Sequence, residues 1–485
     1  MSMQQQPEEE QKQPLAPASV VDEPRPGEAA GALAEALADG DSTNKKNSVV
    51  KDSTATFVYR LLIFALTFLT GVVVTRALSP DQKGAYNLAM ALPRLLIRFG
   101  NLGVGDAAIY EIGKKRHSLQ RIAGATFGIA LAVSVFLVGI ALMLQGPLTA
   151  SFVKGVEPFL FYLALASIPF ALMIDFAQDL LRGARDINAY NISRMSHNLF
   201  LFITSIIFLF ALQLGSQGAM VAALITVIAE AVLVLLMLRR YTKLSMNVDR
   251  GLIGDMAGFG LKASVMQVVM YLNYDLDIFI VNYFSVGTAA VGFYSLAAGL
   301  AETLWYFPNA LTVVLFPNIA SNIKRGGELT PKACRHVLFM TFCSSVLLAL
   351  VSPVLPYIYG ANYAPMIMPL LLLLPGVVML SVFKVLSTGF FGRGQPMLAS
   401  WAALIGLVLQ TVLDIVLIPR LGINGAAIAS SIAYTVMMVF GVIFYVRSTG
   451  ASVRSIFIMQ KDDWRVYKKL LALPLQRMQR LRGVS

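Results

Sequence analysis

The sequence predicts an all-α polytopic membrane protein, with twelve transmembrane helices arranged as two parallel six-helix lobes around a central cavity. Three observations predict it. Apolar residues dominate a chain with few charges, positive residues gather in alternate loops, and two short motifs recur about 208 residues apart.

Of 485 residues, 57% are hydrophobic and 14% charged, against roughly 25% charged in a soluble domain. At about 20 residues per membrane helix, the apolar share suffices for about a dozen spans. A soluble enzyme, a nucleic-acid-binding domain and a secreted disulfide scaffold are thereby disfavoured. The net charge of +12 is read as loop charge facing the cytoplasm and not as a nucleic-acid signal. Two cysteines, Cys334 and Cys343, imply no disulfide framework.

Residues 1–52 hold ten acidic and five basic residues, with Pro14, Pro17, Pro24 and Pro26 and no apolar period. They read as a disordered acidic cytoplasmic tail, without the basic-then-apolar layout of a signal peptide. The Ala-rich piece from Ala29 to Ala38 is compatible with a transient helix. From Phe57 onward, twelve apolar segments follow, near 56–77, 85–111, 121–145, 157–181, 190–213, 218–238, 257–284, 288–320, 335–358, 366–390, 396–418 and 423–446. None sustains a strand-like alternation, so they read as helices. The first six make an N-terminal lobe over 53–245 and the last six a C-terminal lobe over 246–447.

The even-numbered loops carry 16 positive residues, among them Lys114, Lys115, Arg116, Arg182, Arg194, Arg240 and Arg325. The odd-numbered loops carry three, Lys83, Lys154 and Arg420. Positive residues stay in the cytoplasm, so both termini are expected there. The last stretch, 448–485, is a basic cytoplasmic tail. Trp464, Tyr467 and Leu471 recur within it at i, i+3, i+7, which suits a short amphipathic interfacial helix that Pro474 would end.

Gly84-Ala85-Tyr86-Asn87-Leu88-Ala89 opens span 2, and Gly292-Phe293-Tyr294-Ser295-Leu296-Ala297 opens span 8, shifted by 208. Leu214-Gly215-Ser216-Gln217-Gly218-Ala219 precedes span 6, and Leu421-Gly422-Ile423-Asn424-Gly425-Ala426 precedes span 12, shifted by 207. Two matches at nearly one offset imply two homologous six-helix halves. Six is even, so both halves insert the same way, a transporter architecture with its site between the halves.

Val74-Thr75-Arg76-Ala77-Leu78-Ser79-Pro80-Asp81-Gln82-Lys83-Gly84-Ala85-Tyr86 resembles the end of the first helix of Wzx-type polysaccharide flippases. Tyr274-Asp275-Leu276-Asp277 and the Gly-Ile-Asn-Gly-Ala step before span 12 resemble the same family. These flippases belong to the MATE-like multidrug/oligosaccharidyl-lipid/polysaccharide (MOP) superfamily. The resemblance covers about residues 52–447. It implies transfer of an undecaprenyl-pyrophosphate-linked oligosaccharide across the inner (plasma) membrane, among membrane lipid, with polysaccharide polymerase and chain-length proteins as further partners.

Ionisable residues inside spans are costly and usually face the bundle interior or a watery cavity. Arg94 and Arg98 stand i, i+4 on one face of span 2, near mid-depth, after a Pro93 expected to kink the helix. An Arg fork suits phosphate oxygens, so these two are the candidates for the lipid pyrophosphate. The competing expectation is that they pair with acids to tie helices together. Arg94 shifted by 208 falls on Glu302, and Arg98 on Tyr306. Arg94 and Glu302 are therefore expected to approach in at least one conformation, as a gate.

Asp275 and Asp277, two apart, point to different sides of span 7. One is expected to face the cavity and the other to serve packing or proton or sodium coupling. Lys262, nearer the cytoplasmic end, is placed to snorkel or to meet incoming substrate. Asp175, Asp179, Glu230, Lys384 and Asp414 are read as inter-helix pairs or interfacial charges. Arg60 and Arg76 flank span 1 and can snorkel, and Arg60 is a further candidate for recruiting phosphate. Tyr271, Tyr274, Trp305, Tyr306 and Phe307 are candidates for sugar stacking, or simply pack.

No Gly-rich phosphate loop, metal-ligand spacing or catalytic constellation occurs, so neither a cofactor nor an enzyme activity is expected. His197 reads as a lone hydrogen-bonding or packing residue. The alternatives are a multidrug or organic-cation antiporter of the same superfamily, which should present unpaired carboxylates, and an unrelated twelve-helix secondary carrier.

Overall fold

The computed structural model describes residues 44–242, 250–285, 287–321, 323–461 and 463–464. Most of the acidic tail and the tail beyond Trp464, with Tyr467 and Leu471, lie outside the described residues. Among the described residues there is no strand. The main helices are α1 (Asn44–Ala77), α2 (Pro80–Gly100), α3 (Val104–Lys114), α4 (Leu119–Met143), α5 (Pro158–Gly183), α6 (Ile187–Ser205) and α7 (Gly215–Leu238). They continue as α8 (Arg250–Phe284), α9 (Ala289–Glu302), α10 (Tyr306–Ser321), α11 (Ile323–Val351), α12 (Ile367–Gly392), α13 (Pro396–Leu421) and α14 (Ile423–Thr449). Helix α1 thus begins at Asn44, inside the stretch that the sequence reading assigned to the tail.

Nine helices among the described residues are long and apolar enough to cross a membrane. The segments α2–α3, α8 and α9–α10 fall outside that set, and they carry Arg94, Arg98, Asp275, Asp277 and Glu302.

Local chemistry fixes the helix starts. Ser79 and Gln82 form a reciprocal capping box at the start of α2, with Pro80 in the first turn. Ser118 caps α4 and Asp186 caps α6.

Span 2 departs from the single 85–111 helix expected. Pro93 lies inside α2, which runs on to Gly100. The interruption comes later, where Leu102 and Gly103 take φ of 48° and 65°. Its cause is close packing. A Cβ on Gly103 would stand 2.2 Å from the Gly260 carbonyl oxygen, and one on Gly260 would stand 2.2 Å from the Leu102 oxygen. Span 8 is likewise divided, by a 3-10 turn at Thr303–Trp305.

Two sets of packing contacts define the bundle. In the first, α5 packs on α7, α4 and α3, while α6 packs on α1 and α7. In the second, α14 packs on α12 and α13, and α10 and α11 pack on α12. The sets are joined by α2 against α9, and by α8, which touches α2, α3 and α4 on one side and α13 on the other.

Candidate functional site

The two repeat motifs meet face to face. A Cβ on Gly84 would lie 1.8 Å from the Thr288 carbonyl oxygen, and one on Gly292 would lie 2.2 Å from the Pro80 oxygen. Only glycine permits that approach. Around them, the Asn87 amide donates to the Ser295 hydroxyl. The Thr288 hydroxyl donates to the Asp81 carbonyl at 2.8 Å, and the Ala289 N–H donates to Asp81 Oδ1 at 3.0 Å. Nearby, Tyr363 donates to the Leu78 carbonyl at 3.0 Å. Arg76 donates to the carbonyls of Ile358 and Tyr357. Arg76 therefore clasps the chain just before α12 and does not merely snorkel. This end of the junction between the sets is closed.

Further along α2 exposed side chains appear, and the Tyr306 ring of α10 meets Phe64 of α1 edge-on at 5.0 Å. Arg94, Arg98 and Phe99 are exposed on α2, and Tyr306, Phe307, Asn309 and Ala310 on α10. Among the described residues, no carboxylate lies within ion-pair distance of Arg94 or Arg98. Their charges are felt by Asp275 and Tyr271, that of Arg98 also by Asp175 and Asp179, and that of Arg94 by Glu302. Arg94 and Glu302 thus share a field without forming an ion pair in this conformation.

Arg194 on α6 is a third basic residue of this region, missed as a site candidate because it was counted as loop charge. It is exposed, it contacts Tyr190, and its charge reaches Asp175 and Tyr306 on the facing set. The usable signal was its place on an apolar helix, one turn before Asn198. Arg60 is exposed on α1. The side chain of Lys262 lies outside the described residues.

Asp275 and Asp277 do part company. Asp275 lies in the field of the arginines. Asp277, 2% exposed, enters the packed interior of the second set, where Tyr294 and Ser430 donate to it. Gln410 donates to Ser430 at 3.3 Å, and Tyr434 donates to the Asn273 carbonyl at 3.3 Å. Asp414, one turn after Gln410, is fully buried, and neither of its oxygens has a partner among the described residues. That corrects the expectation of an inter-helix pair. Asp414 lies within reach of the charge of Asp277.

Asp277, Glu302, Tyr274, Tyr294, Trp305 and Tyr434 line a cavity of about 10 Å³, the room of roughly one water. At its edge the Lys384 ammonium sits over the rings of Trp305 (4.3 Å) and Tyr274 (4.9 Å). Lys384 is held by cation–π contact where an inter-helix pair was expected. Trp305 is buried, so of the aromatic candidates Tyr306 and Phe307 offer open faces.

In the first set, Glu230 is buried and accepts from Gln178 (3.1 Å) and Ser193 (3.3 Å), with His197 Nδ1 at 2.6 Å. This is the inter-helix pairing expected for Glu230, and it gives His197 a hydrogen-bonding role. Asp179 pairs with Arg182 on its own helix.

The helices define a class: a polytopic, all-α membrane protein with a fold shared by known multidrug and lipid transporters. Three comparisons carry this. The chain superposes on the lipid II flippase MurJ in an inward closed conformation with a TM-score of 0.69 at 14% identity, over 88% of this chain and 93% of that one. An inward-facing multidrug resistance MATE transporter gives 0.67 at 17%, over 79% and 94%. A membrane protein of Methanocaldococcus jannaschii is 20% identical over 429 residues, 82% of this chain and 84% of that protein. The unrelated twelve-helix carrier is set aside by this fold. Residues 49–323 match the model of the polysaccharide biosynthesis protein family, and the chain belongs to that family.

Proposed function

We propose that this protein is a flippase that moves an undecaprenyl-pyrophosphate-linked oligosaccharide from the cytoplasmic to the outer leaflet. It works by alternating access between two parallel six-helix lobes. The observation that carries the reading is that Arg94 and Arg98 are exposed on a largely apolar helix and, among the described residues, free of ion pairs, further along α2 than the contact of Asn87 with Ser295. A drug-cation site would want open carboxylates there, and the arginines favour an anion.

On this reading both termini are cytoplasmic in the inner membrane, and the end of α2 that carries Arg94 and Arg98 faces the cytoplasm. The pyrophosphate enters there and takes forked contacts from Arg94 and Arg98, with Arg60 and Arg194 guiding approach. Tyr306 and Phe307 offer faces to the sugars. Substrate charge offsets the repulsion between the arginines, which lets the surfaces close. Closure brings Arg94 toward Glu302 and strains the clasp at Gly84 and Gly292. When the clasp parts, the head group faces outward and passes to polymerase and chain-length proteins. Uptake of a proton or sodium ion by Asp277 and Asp414 supplies the drive.

The test is depletion in the native host, with lipid-linked glycans identified by mass spectrometry and their leaflet assigned by a membrane-impermeant reagent. Complete undecaprenyl-pyrophosphate oligosaccharide should accumulate on the cytoplasmic face. Arg94→Ala should reproduce that accumulation and Arg94→Lys only part of it. No build-up of a lipid-linked intermediate would sink the reading.

A further inference from the structure

Past α14 the chain turns back onto the bundle as a strap. Ser452 caps the short helix Val453–Phe457, its side chain accepting from the Ser455 N–H. Ile456 is fully buried. Asp463 is 1% exposed and accepts from Arg335 Nε at 2.6 Å, Arg335 Nη2 at 3.2 Å and the Gln460 N–H at 2.8 Å. Arg335 also donates to the Ser455 carbonyl. The Trp464 ring meets Phe339 edge-on at 5.4 Å. One side of residues 452–464 is therefore fastened to α11 at both ends.

The other side is unlike an ordinary polar turn. Val453 and Ile458 are each 51% exposed, and Trp464 is 44% exposed. Arg454 and Lys461 are exposed between them and line an open pocket with Ile458 and Gln460. The strap directly follows the apolar helix Ile423–Thr449 and fastens near the start of the apolar stretch Glu328–Tyr359. That sets it beside the ends of two helices apolar enough to cross a membrane. Apolar anchors interleaved with basic residues there are what an interfacial segment needs.

Charge selects the kind of lipid. Residues 447–485 hold nine basic and two acidic residues. Asp463, one of the two acids, is consumed in the buried pair with Arg335, so it does not offset the exposed Arg454 and Lys461.

We propose that strap 452–464 is a docking surface for anionic phospholipid of the leaflet it lies in. Arg454 and Lys461 hold the headgroup phosphate, and Val453, Ile458 and Trp464 enter the acyl boundary. Each basic residue contributes about fivefold to the preference for an anionic surface.

Trp464 is its own reporter. The full chain is reconstituted in phosphatidylcholine containing about 30 mole per cent phosphatidylglycerol, with bromine carried by one lipid or the other. Emission of the Trp464→Phe variant is subtracted to isolate Trp464. Brominated phosphatidylglycerol should quench Trp464 at least about twofold more per mole than brominated phosphatidylcholine. The excess should vanish in Arg454→Gln/Lys461→Gln and shrink in about 0.5 M salt. Free inorganic phosphate should leave it unchanged. Equal quenching by the two lipids, an excess that survives the double variant, or release by free phosphate would each overturn the proposal. A resistance to protease at 452–464 equal to that of the native chain certifies that the double variant is docked.

Discussion

Asn87 and Ser295 stand 208 residues apart and share a hydrogen bond between side chains. The same offset relates the two copies of the repeat motif, so the bonded residues hold matching positions in it. In parallel repeats related by an axis along the membrane normal, equivalent residues touch only beside that axis. The bond lies where the two copies of the motif meet.

Locking this contact should stop the cycle. Replacing Asn87 and Ser295 by cysteine, in a chain whose Cys334 and Cys343 are changed to serine, should give an oxidant-dependent intramolecular cross-link. Glycolipid should then accumulate on its entry side and clear again on reduction. Transport by the fully cross-linked protein would exclude parting of the halves at this point.

Gly84 offers a second test. Its α-carbon faces the Thr288 carbonyl so closely that Gly84→Ala must push α2 and α9 apart. Overpacking of this kind costs about 1–3 kcal/mol. Gly113, with nothing within 4 Å of an added Cβ, is the control. Gly84→Ala should melt several degrees lower and expose Asn87→Cys to a water-soluble maleimide. Gly113→Ala should do neither.

The sequence made the helices and the family legible, because apolar runs and recurring motifs are one-dimensional signals. Of the candidate site, the residue types were legible and their surroundings were not. Arg94 and Arg98 announced themselves as charges within an apolar run, and the spacing of Asp275 and Asp277 foretold their divergence. The interruption after Arg98 was not legible, because Gly103 is held by Gly260, a residue far along the chain. Asp414 was misjudged for a similar reason. Whether a buried acid finds a partner depends on three helices meeting, and Asp277, Gln410 and Ser430 come from three.

The isolation of Asp414 within reach of the charge of Asp277 predicts a cation-linked or proton-linked stability. Two buried carboxylates whose charges reach each other are disfavoured unless a proton or a metal ion neutralises them. If the site takes sodium, melting temperature should rise with sodium concentration, by about 2.7 kcal/mol of stabilisation at a hundredfold excess over Kd. Asp277→Asn and Asp414→Asn should each abolish that rise. A dependence on pH but not sodium would assign a proton, and insensitivity to both would remove the coupling role.

The strap should release in acid. Burial alone would raise the Asp463 carboxyl. Its hydrogen bonds from Arg335 and the Gln460 N–H outweigh burial and hold it below the usual carboxylate range. A depressed acid contributes its full stabilisation above the unfolded value of about 3.9 and loses it as pH falls through the lower folded value. Trp464 emission should stay constant down to about pH 4 and shift only below it. Asp463→Asn leaves Arg335 uncompensated, a loss of up to about 3–5 kcal/mol that undocking relieves. Its emission should resemble the acid form at every pH. A shift beginning near neutrality would point to His336 as the controlling group.

Arg94 and Glu302 supply the most direct test of the proposed closure. They hold matching positions in the repeat, they feel each other's charge, and they form no ion pair in this conformation. If closure joins them, Glu302→Arg places two cations at the contact and Arg94→Glu two anions. Either should cut transport at least about tenfold, since each 1.4 kcal/mol of repulsion at the contact is worth a factor of ten. Arg94→Glu/Glu302→Arg restores opposite charges and should recover the ability to close. The swap also moves the cation from α2 to the end of α9, where it no longer stands i, i+4 from Arg98. Substrate affinity should therefore remain low while the closed state returns. Cross-linking at the Arg98 end of α2 reports closure, and glycolipid flipping reports binding and closure together. Recovery of the cross-link without recovery of flipping would assign Arg94 both roles, gate and phosphate ligand. Recovery of both would leave it the gate alone, with the pyrophosphate held by Arg98 and its neighbours. Recovery of neither would dissolve the pairing.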